Sequence, residues 1–245
     1  RCARRSWLCP ASYEHRSKNM RTLFNSLYRN APFLRTLYRP CRAQYARWRL
    51  KQCVRRARAA GIPLRIVIGA NHKFQPEWLP TELYTLDLLK LSDWQRYFRE
   101  GEIDRLVAEH VWEHLTVEQG TEAARMCFRF LRPGGQLRVA VPDGFFPDPK
   151  YIEFVRPGGT GPSADDHKVL YTYKSFREVF KNAGFEVRLL EYFDEFGAFH
   201  EESWDPEHGR ITRSKRFYQG HCFGDLKYRS LILDARKGEV ECERG

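Results

Sequence analysis

The stretch Ile103-Asp104-Arg105-Leu106-Val107-Ala108-Glu109-His110-Val111-Trp112-Glu113-His114-Leu115, completed by Leu131-Arg132-Pro133-Gly134-Gly135-Gln136-Leu137-Arg138-Val139-Ala140-Val141-Pro142-Asp143, decides the fold. Ile103 to Ala108 is a short apolar run that ends in two polar residues, Glu109 and His110. A buried parallel strand has this form when its carboxyl end opens into a ligand crevice. Between the two halves, Ala123, Ala124, Cys127, Phe128, Phe130 and Leu131 recur near helical spacing, which predicts a helix over Val117 to Leu131. Pro133-Gly134-Gly135 predicts its stop, because glycine supplies positive φ and proline removes a donor. Gln136 to Val141 then predicts the next strand, with Pro142-Asp143 at its tip. A strand, helix and strand joined by a right-handed crossover bring both strand tips to one edge of a sheet.

These two motifs, E-H-V-x-E-H-L after an apolar strand and L-R-P-G-G-x-L-x-x-x-V-P-D after the helix, resemble the class I S-adenosylmethionine-dependent methyltransferases. The similarity is greatest to the short bacterial, type 11-like group, and it extends from about Leu64 to Lys237. It implies an α/β fold: a doubly wound, Rossmann-like sheet, mostly parallel, whose last strand runs antiparallel between the two before it. Residues 62–237 are the expected methyltransferase domain, 1–61 a basic helical arm or cap, and 238–245 a polar tail.

The resemblance also implies a cofactor site for S-adenosyl-L-methionine. Leu64 to Gly69 reads as the first strand, running into the loop Gly69-Ala70-Asn71-His72-Lys73. Only one glycine of the usual G-x-G-x-G remains there, although asparagine tolerates left-handed backbone. Trp78 to Leu83 resembles the second strand, whose terminal carboxylate, here Glu82 with Leu83 beside it, accepts hydrogen bonds from ribose hydroxyls. Leu86-Asp87-Leu88 resembles the third strand end at the adenine edge. Glu109 and His110 stand where the fourth strand meets the cofactor. Without the resemblance, each acid reads equally as an exposed turn carboxylate.

After Asp143 the chain is rich in proline and glycine up to Ala164-Asp165-Asp166-His167-Lys168. So long a loop predicts a lid over the crevice from Pro147 to Lys168. His167 and Asp143 are the candidate catalytic bases; an alternative for the acidic cluster is helix capping. His110 and His114 form an H-x-x-x-H pair without the E-x-x-H context of a zinc protease, so no metal site is expected. A long polar insertion, 194–216, then separates the last two core strands and is expected to shape the acceptor pocket.

The net charge of +11 conceals two regions. Residues 1–60 hold sixteen Lys/Arg against Glu14 alone, a local charge of +15, while the remainder carries 26 basic and 30 acidic residues. A basic arm on a mildly acidic domain argues against specific nucleic-acid binding. Leu23, Phe24, Leu27, Tyr28, Phe33, Leu34, Leu37 and Tyr38 recur at helical spacing and predict two or three amphipathic helices broken at Pro32 and Pro40. Such helices serve as a cap on the domain or as an interfacial element on an anionic membrane surface. Seven cysteines without a C-x-x-C suit a reducing, cytoplasmic setting and argue against a zinc knuckle. Met20 is an expected start, with 1–19 an upstream segment. The resemblance implies methyl transfer to oxygen or nitrogen of a small-molecule or glycan-precursor acceptor. The alternative is a non-catalytic binding or scaffold protein of the same fold.

Overall fold

Strands with a two-residue side-chain period supply the frame. The computed structural model describes residues 32–239 apart from 72–74, 219, 221, 224–225 and 228–229, with backbone alone for 32–40 and for the short strands near residue 225. Helix α1 spans Pro32–Ala59, and strands β1 (Leu64–Ile68) and β2 (Leu79–Pro80) follow. Helix α2 (Leu91–Gln95), strand β3 (Ile103–Glu109), helix α3 (Val117–Phe130) and strand β4 (Leu131–Pro142) come next. Helices α4 (Pro149–Val155) and α5 (Tyr173–Lys181) precede strands β5 (Glu186–Phe193) and β6 (Phe199–Glu201). A small separate pair, β7 (Cys222–Phe223) and β8 (Leu226–Lys227), leads to β9 (Ser230–Arg236).

The main sheet has the order β2-β1-β3-β4-β9-β5-β6. Strands β2, β1, β3 and β4 are parallel, while β9 is antiparallel to both β4 and β5. This is the expected Rossmann-like α/β sheet, with its last long strand reversed and inserted between two parallel ones. One strand of the expectation is missing: Leu86 to Leu88 lies in irregular turns, and β2 is only two residues long. The cause is local. The Asp87 carboxylate accepts from the Leu89 amide at 3.1 Å and pairs with Lys90 at 2.8 Å, so the backbone turns instead of extending.

Helix α3 forms where the apolar spacing predicts it, and Thr116 closes a capping box with Gln119 at its start. It ends at Phe130, before Pro133-Gly134-Gly135, and Leu131 enters β4 directly. The β3–β4 register jumps from Ile103↔Leu131 to Arg105↔Gln136, so residues 132–135 bulge out of the ladder. Gly134, at φ 69°, takes the left-handed turn there, and its amide donates to the Lys237 carbonyl. The glycine turn is thus an excursion within the strand and not the helix stop.

Side chains on one face of the sheet, among them Ile66, Leu106, Leu137, Val139 and Leu233, pack against α1, α2, α3 and α5 through Val54, Trp94, Phe130 and Phe180. The opposite face buries a smaller group, Val67, Val107, Ala140, Leu190 and Ile232, under Trp78, Trp204 and Ile211. Helix α1 continues through Pro40, contrary to the predicted break there. Leu50, Val54 and Ala57, at i, i+4 and i+7, join the main core, and Arg58 grips Glu102 through Nε at 2.5 Å and Nη2 at 2.7 Å. The last turns of α1, from Leu50 to Arg58, therefore dock on the domain; residues 1–31 lie outside the described residues. No helix among the described residues is long and apolar enough to cross a membrane.

Candidate functional site

Chain order fixes where a crevice must open. From β1 the chain passes to β2 on one side and then to β3 on the other, so the connections leave β1 in opposite directions. In open α/β sheets, ligands bind outside the carboxyl ends of strands at this switch point. A cleft of about 240 Å³ lies there, lined by Val67, Ile68, Gly69 and Ala70 from the end of β1, Val107 and Glu109 from β3, and Gln75, Arg210 and Thr212.

Gly69 (φ 60°) and Asn71 (φ 40°) both adopt left-handed backbone, so the turn after β1 bends as the sequence pattern requires despite its single glycine. A Cβ on Gly69 would lie 2.7 Å from Val111 Cγ2, so only glycine lets this turn pack against the β3 connection. The amide of Ala70 donates to the Thr81 carbonyl, and that of Thr81 donates to the Val67 carbonyl. These bonds set Glu82 immediately beyond the β2 tip, beside the Gly69 turn. Glu82 is half-buried, and its carboxylate makes no hydrogen bond or ion pair among the described residues. Leu83 beside it is 74% exposed.

The other sequence candidates have partners of their own. The carboxylate of Asp87 is tied to Leu89 and Lys90, and Leu88 is buried in the main core. Glu109 lines the cleft, yet its two oxygens accept the amides of Thr212 (2.9 Å) and Arg213 (3.0 Å). It anchors the long insertion, which reaches back over the sheet to form one wall. His110, at φ 60°, directs Nε2 to Ser230 Oγ at 3.0 Å and Nδ1 to 2.8 Å from Glu113.

Asp143 is not at the crevice at all. Its carboxylate is fully buried and accepts from the amides of Phe145 (2.9 Å) and Phe193 (2.7 Å), clamping the end of β4 to the end of β5. Burial pushes its pKa up to about 6 against those two donors. A base sealed in this way has no access to an acceptor, and the catalytic assignment of Asp143 is withdrawn. The expected lid, 147–168, contains helix α4, whose Tyr151 and Val155 are buried against Phe146 and Phe193. Its end is held by the amides of Lys168 and Val169, both donating to the Glu113 carbonyl. His167 lies half-buried outside the cleft lining, with its ring edge-on to that of His114 at 4.9 Å.

Glu113 was not singled out by sequence reasoning. It is 1% exposed, and burial raises its carboxyl to about 7 despite His114, His167 and Arg213 nearby. A signal existed in the fixed spacing of His110, Glu113 and His114, but the partner that completes the group, His167, is 53 positions away from His114.

Neither a family model nor a curated protein matches the sequence. Among solved structures, the chain is similar to a SAM-dependent methyltransferase from Archaeoglobus fulgidus, with 12% identity over 77% of this chain and 94% of that one and a TM-score of 0.43. A SAM-dependent methyltransferase from Thermotoga maritima gives 13% identity over 84% and 96% of the two chains, with a TM-score of 0.42. Phosphoethanolamine N-methyltransferase 2 from Haemonchus contortus, in complex with S-adenosyl-L-methionine, gives 13% over 78% and 47%, with a TM-score of 0.40.

Proposed function

We propose that this protein is a class I S-adenosyl-L-methionine-dependent methyltransferase acting on oxygen or nitrogen of a small-molecule or glycan-precursor acceptor. One observation carries the reading: the turn with left-handed Gly69 and Asn71, the Glu82 carboxylate, without a partner among the described residues, and the end of β3 share the edge of three adjacent parallel strands at which the switch-point cleft opens. The residues fit the cofactor's chemistry. Gly69, Ala70 and Asn71 would hold its methionine part, Glu82 its ribose hydroxyls, and Leu83 an apolar ring edge. When bound, the cofactor supplies an activated methyl group on a sulfonium. What this chain supplies is alignment, since displacement at carbon depends on orientation more than on acid or base strength. The walls from Glu109 to Thr212 exclude water from one side of the cleft.

A second reading, a binding protein that does not turn over, is supported by the insertion. Arg210 and Thr212 narrow the cleft to about 240 Å³, below the roughly 300–1,000 Å³ of small-ligand sites.

Calorimetry with S-adenosyl-L-methionine and S-adenosylhomocysteine on the full chain tests both. Glu82→Ala should weaken binding by about 1–3 kcal/mol, the loss expected for a hydrogen-bonded charged partner. Unchanged affinity in the folded variant would remove Glu82 from the site. Absence of binding of either compound to the wild type would favour the second reading.

A further inference from the structure

We propose that Glu113, His114 and His167 form a binding site for one divalent transition-metal ion of the zinc class. It is independent of the cofactor site and lies at the junction between the β3–α3 connection and the 156–168 segment. One ligand atom from each of the three residues lies within 4.8 Å of the others. A tetrahedral zinc ion with bonds of ~2.0–2.2 Å holds its ligands roughly 3.3–3.5 Å apart, so side-chain rotations of about 1 Å close the set.

Two features distinguish this group from an ordinary buried cluster. Both carboxylate oxygens of Glu113 are buried without a hydrogen-bond partner, and so is Nδ1 of His114. Buried polar atoms left in this state cost stability that a cation between them would recover. His110 Nδ1 comes within 2.8 Å of Glu113 but lacks hydrogen-bond geometry, so it does not answer the carboxylate's need.

The second feature is the tautomer of His167. Its Nδ1 lies 2.7 Å from the Val155 carbonyl, which can only accept. Nδ1 therefore carries the proton, and the lone pair is on Nε2. A ring nitrogen bonded to a backbone carbonyl while the other is left as a donor atom is the usual outer arrangement of a metal-bound histidine. Two imidazoles and one carboxylate select a borderline transition ion over magnesium or calcium, which prefer oxygen. Asp166, whose Oδ2 is 3.1 Å from His114 Nδ1, stands on the solvent side where a fourth ligand or water would enter. Such an ion would fasten the 156–168 segment to the β3–α3 connection, beside the Lys168 and Val169 amides on the Glu113 carbonyl and the His114–Asp166 contact.

The test is titration of untagged, chelator-treated full-length protein with cobalt(II), followed by visible d–d absorption, and with zinc by calorimetry. One equivalent should bind, and zinc should raise the thermal midpoint. His167→Gln and Glu113→Gln, each checked for native far-UV circular dichroism, should lower affinity at least tenfold. Should Glu113→Gln fail to fold, His114→Gln, on a partly exposed ring, takes its place. Absence of binding to the wild type overturns the proposal, as does unchanged stoichiometry and affinity in folded His167→Gln. Because the readout is metal binding alone, failure here leaves the cofactor reading untouched.

Discussion

The two faces of the sheet share strands but not a method of packing. On one, Leu106, Leu137, Val139 and Leu233 meet helices through Trp94, Phe130, Phe176 and Phe180, with almost no polar atom among them. On the other, the alternate residues of the same strands include Arg105, Arg138 and Asp234. Arg138 is 1% exposed and bonded to both oxygens of Asp234 at 2.7 and 2.8 Å. Its remaining donors reach the carbonyls of Asp205 and Gly209, and Trp204 lies over it at 4.6 Å. The helical face is closed by apolar area, which is insensitive to exact placement. The other adds to its smaller apolar cluster a guanidinium that, with the Glu109 carboxylate, holds an irregular loop against the sheet in a specified arrangement. That loop then runs on to Arg210 and Thr212 at the cleft, so the charged face is the one coupled to the site.

The helical face should show the largest loss. Phe180→Ala removes a fully buried ring in contact with Trp112, Phe176 and Phe185, and about 3–5 kcal/mol should disappear from the unfolding free energy in denaturant titration. On the other face, Arg138→Met should cost about 3 kcal/mol or more, because Asp234 stays behind nearly buried without its partner. Arg138→Met/Asp234→Leu should recover most of this loss. If the double variant is no better than the single, the carbonyl bonds to the 205–209 loop, and not the ion pair, are what the arginine provides.

Asp143 sharpens the contrast, since it is a buried carboxyl with amides for company and no counter-charge among the described residues. Its folded pKa, about 6, stands above the ordinary 3.8. The folded state therefore holds the proton more tightly, and this group's effect on stability is most favourable below about 4 and declines as pH rises to about 6. Asp143→Asn leaves one of the two amides without its acceptor, a loss on the order of 1 kcal/mol at neutral pH. Relative to the variant, the wild type should gain stability as pH falls through 6. A gap between the two that stays constant with pH would show that the carboxyl is not perturbed.

What the sequence disclosed follows the same division. The apolar periods of β3, α3, β4 and α5 predict those elements because burial in a helix-covered core leaves a regular pattern. The Gly69 turn and the position of Glu82 beyond β2 are legible for the same reason, as each follows a strand-like run. Asp143 misleads because a carboxylate after an apolar run looks the same whether it meets a ligand or a backbone amide. Glu109 reads as a cofactor contact, and its engagement with Thr212 and Arg213 depends on residues more than a hundred positions away. Pro40 fails as a helix break because losing one bond within a 28-residue helix is tolerable when its later turns are docked.

The position of β9 has a consequence for biosynthesis. A ribosome delivers β1 to β4 as a sheet that can pair as it emerges, whereas β5 and β6 have no neighbour on the β4 side until residues 230–236 are made and inserted. At synthesis rates of about 5–20 residues per second, the nascent chain waits several seconds with two strand edges open. Completion is therefore late and all at once, and a chaperone that shields β4 and β5 during that interval would do more for yield than any improvement to the finished core.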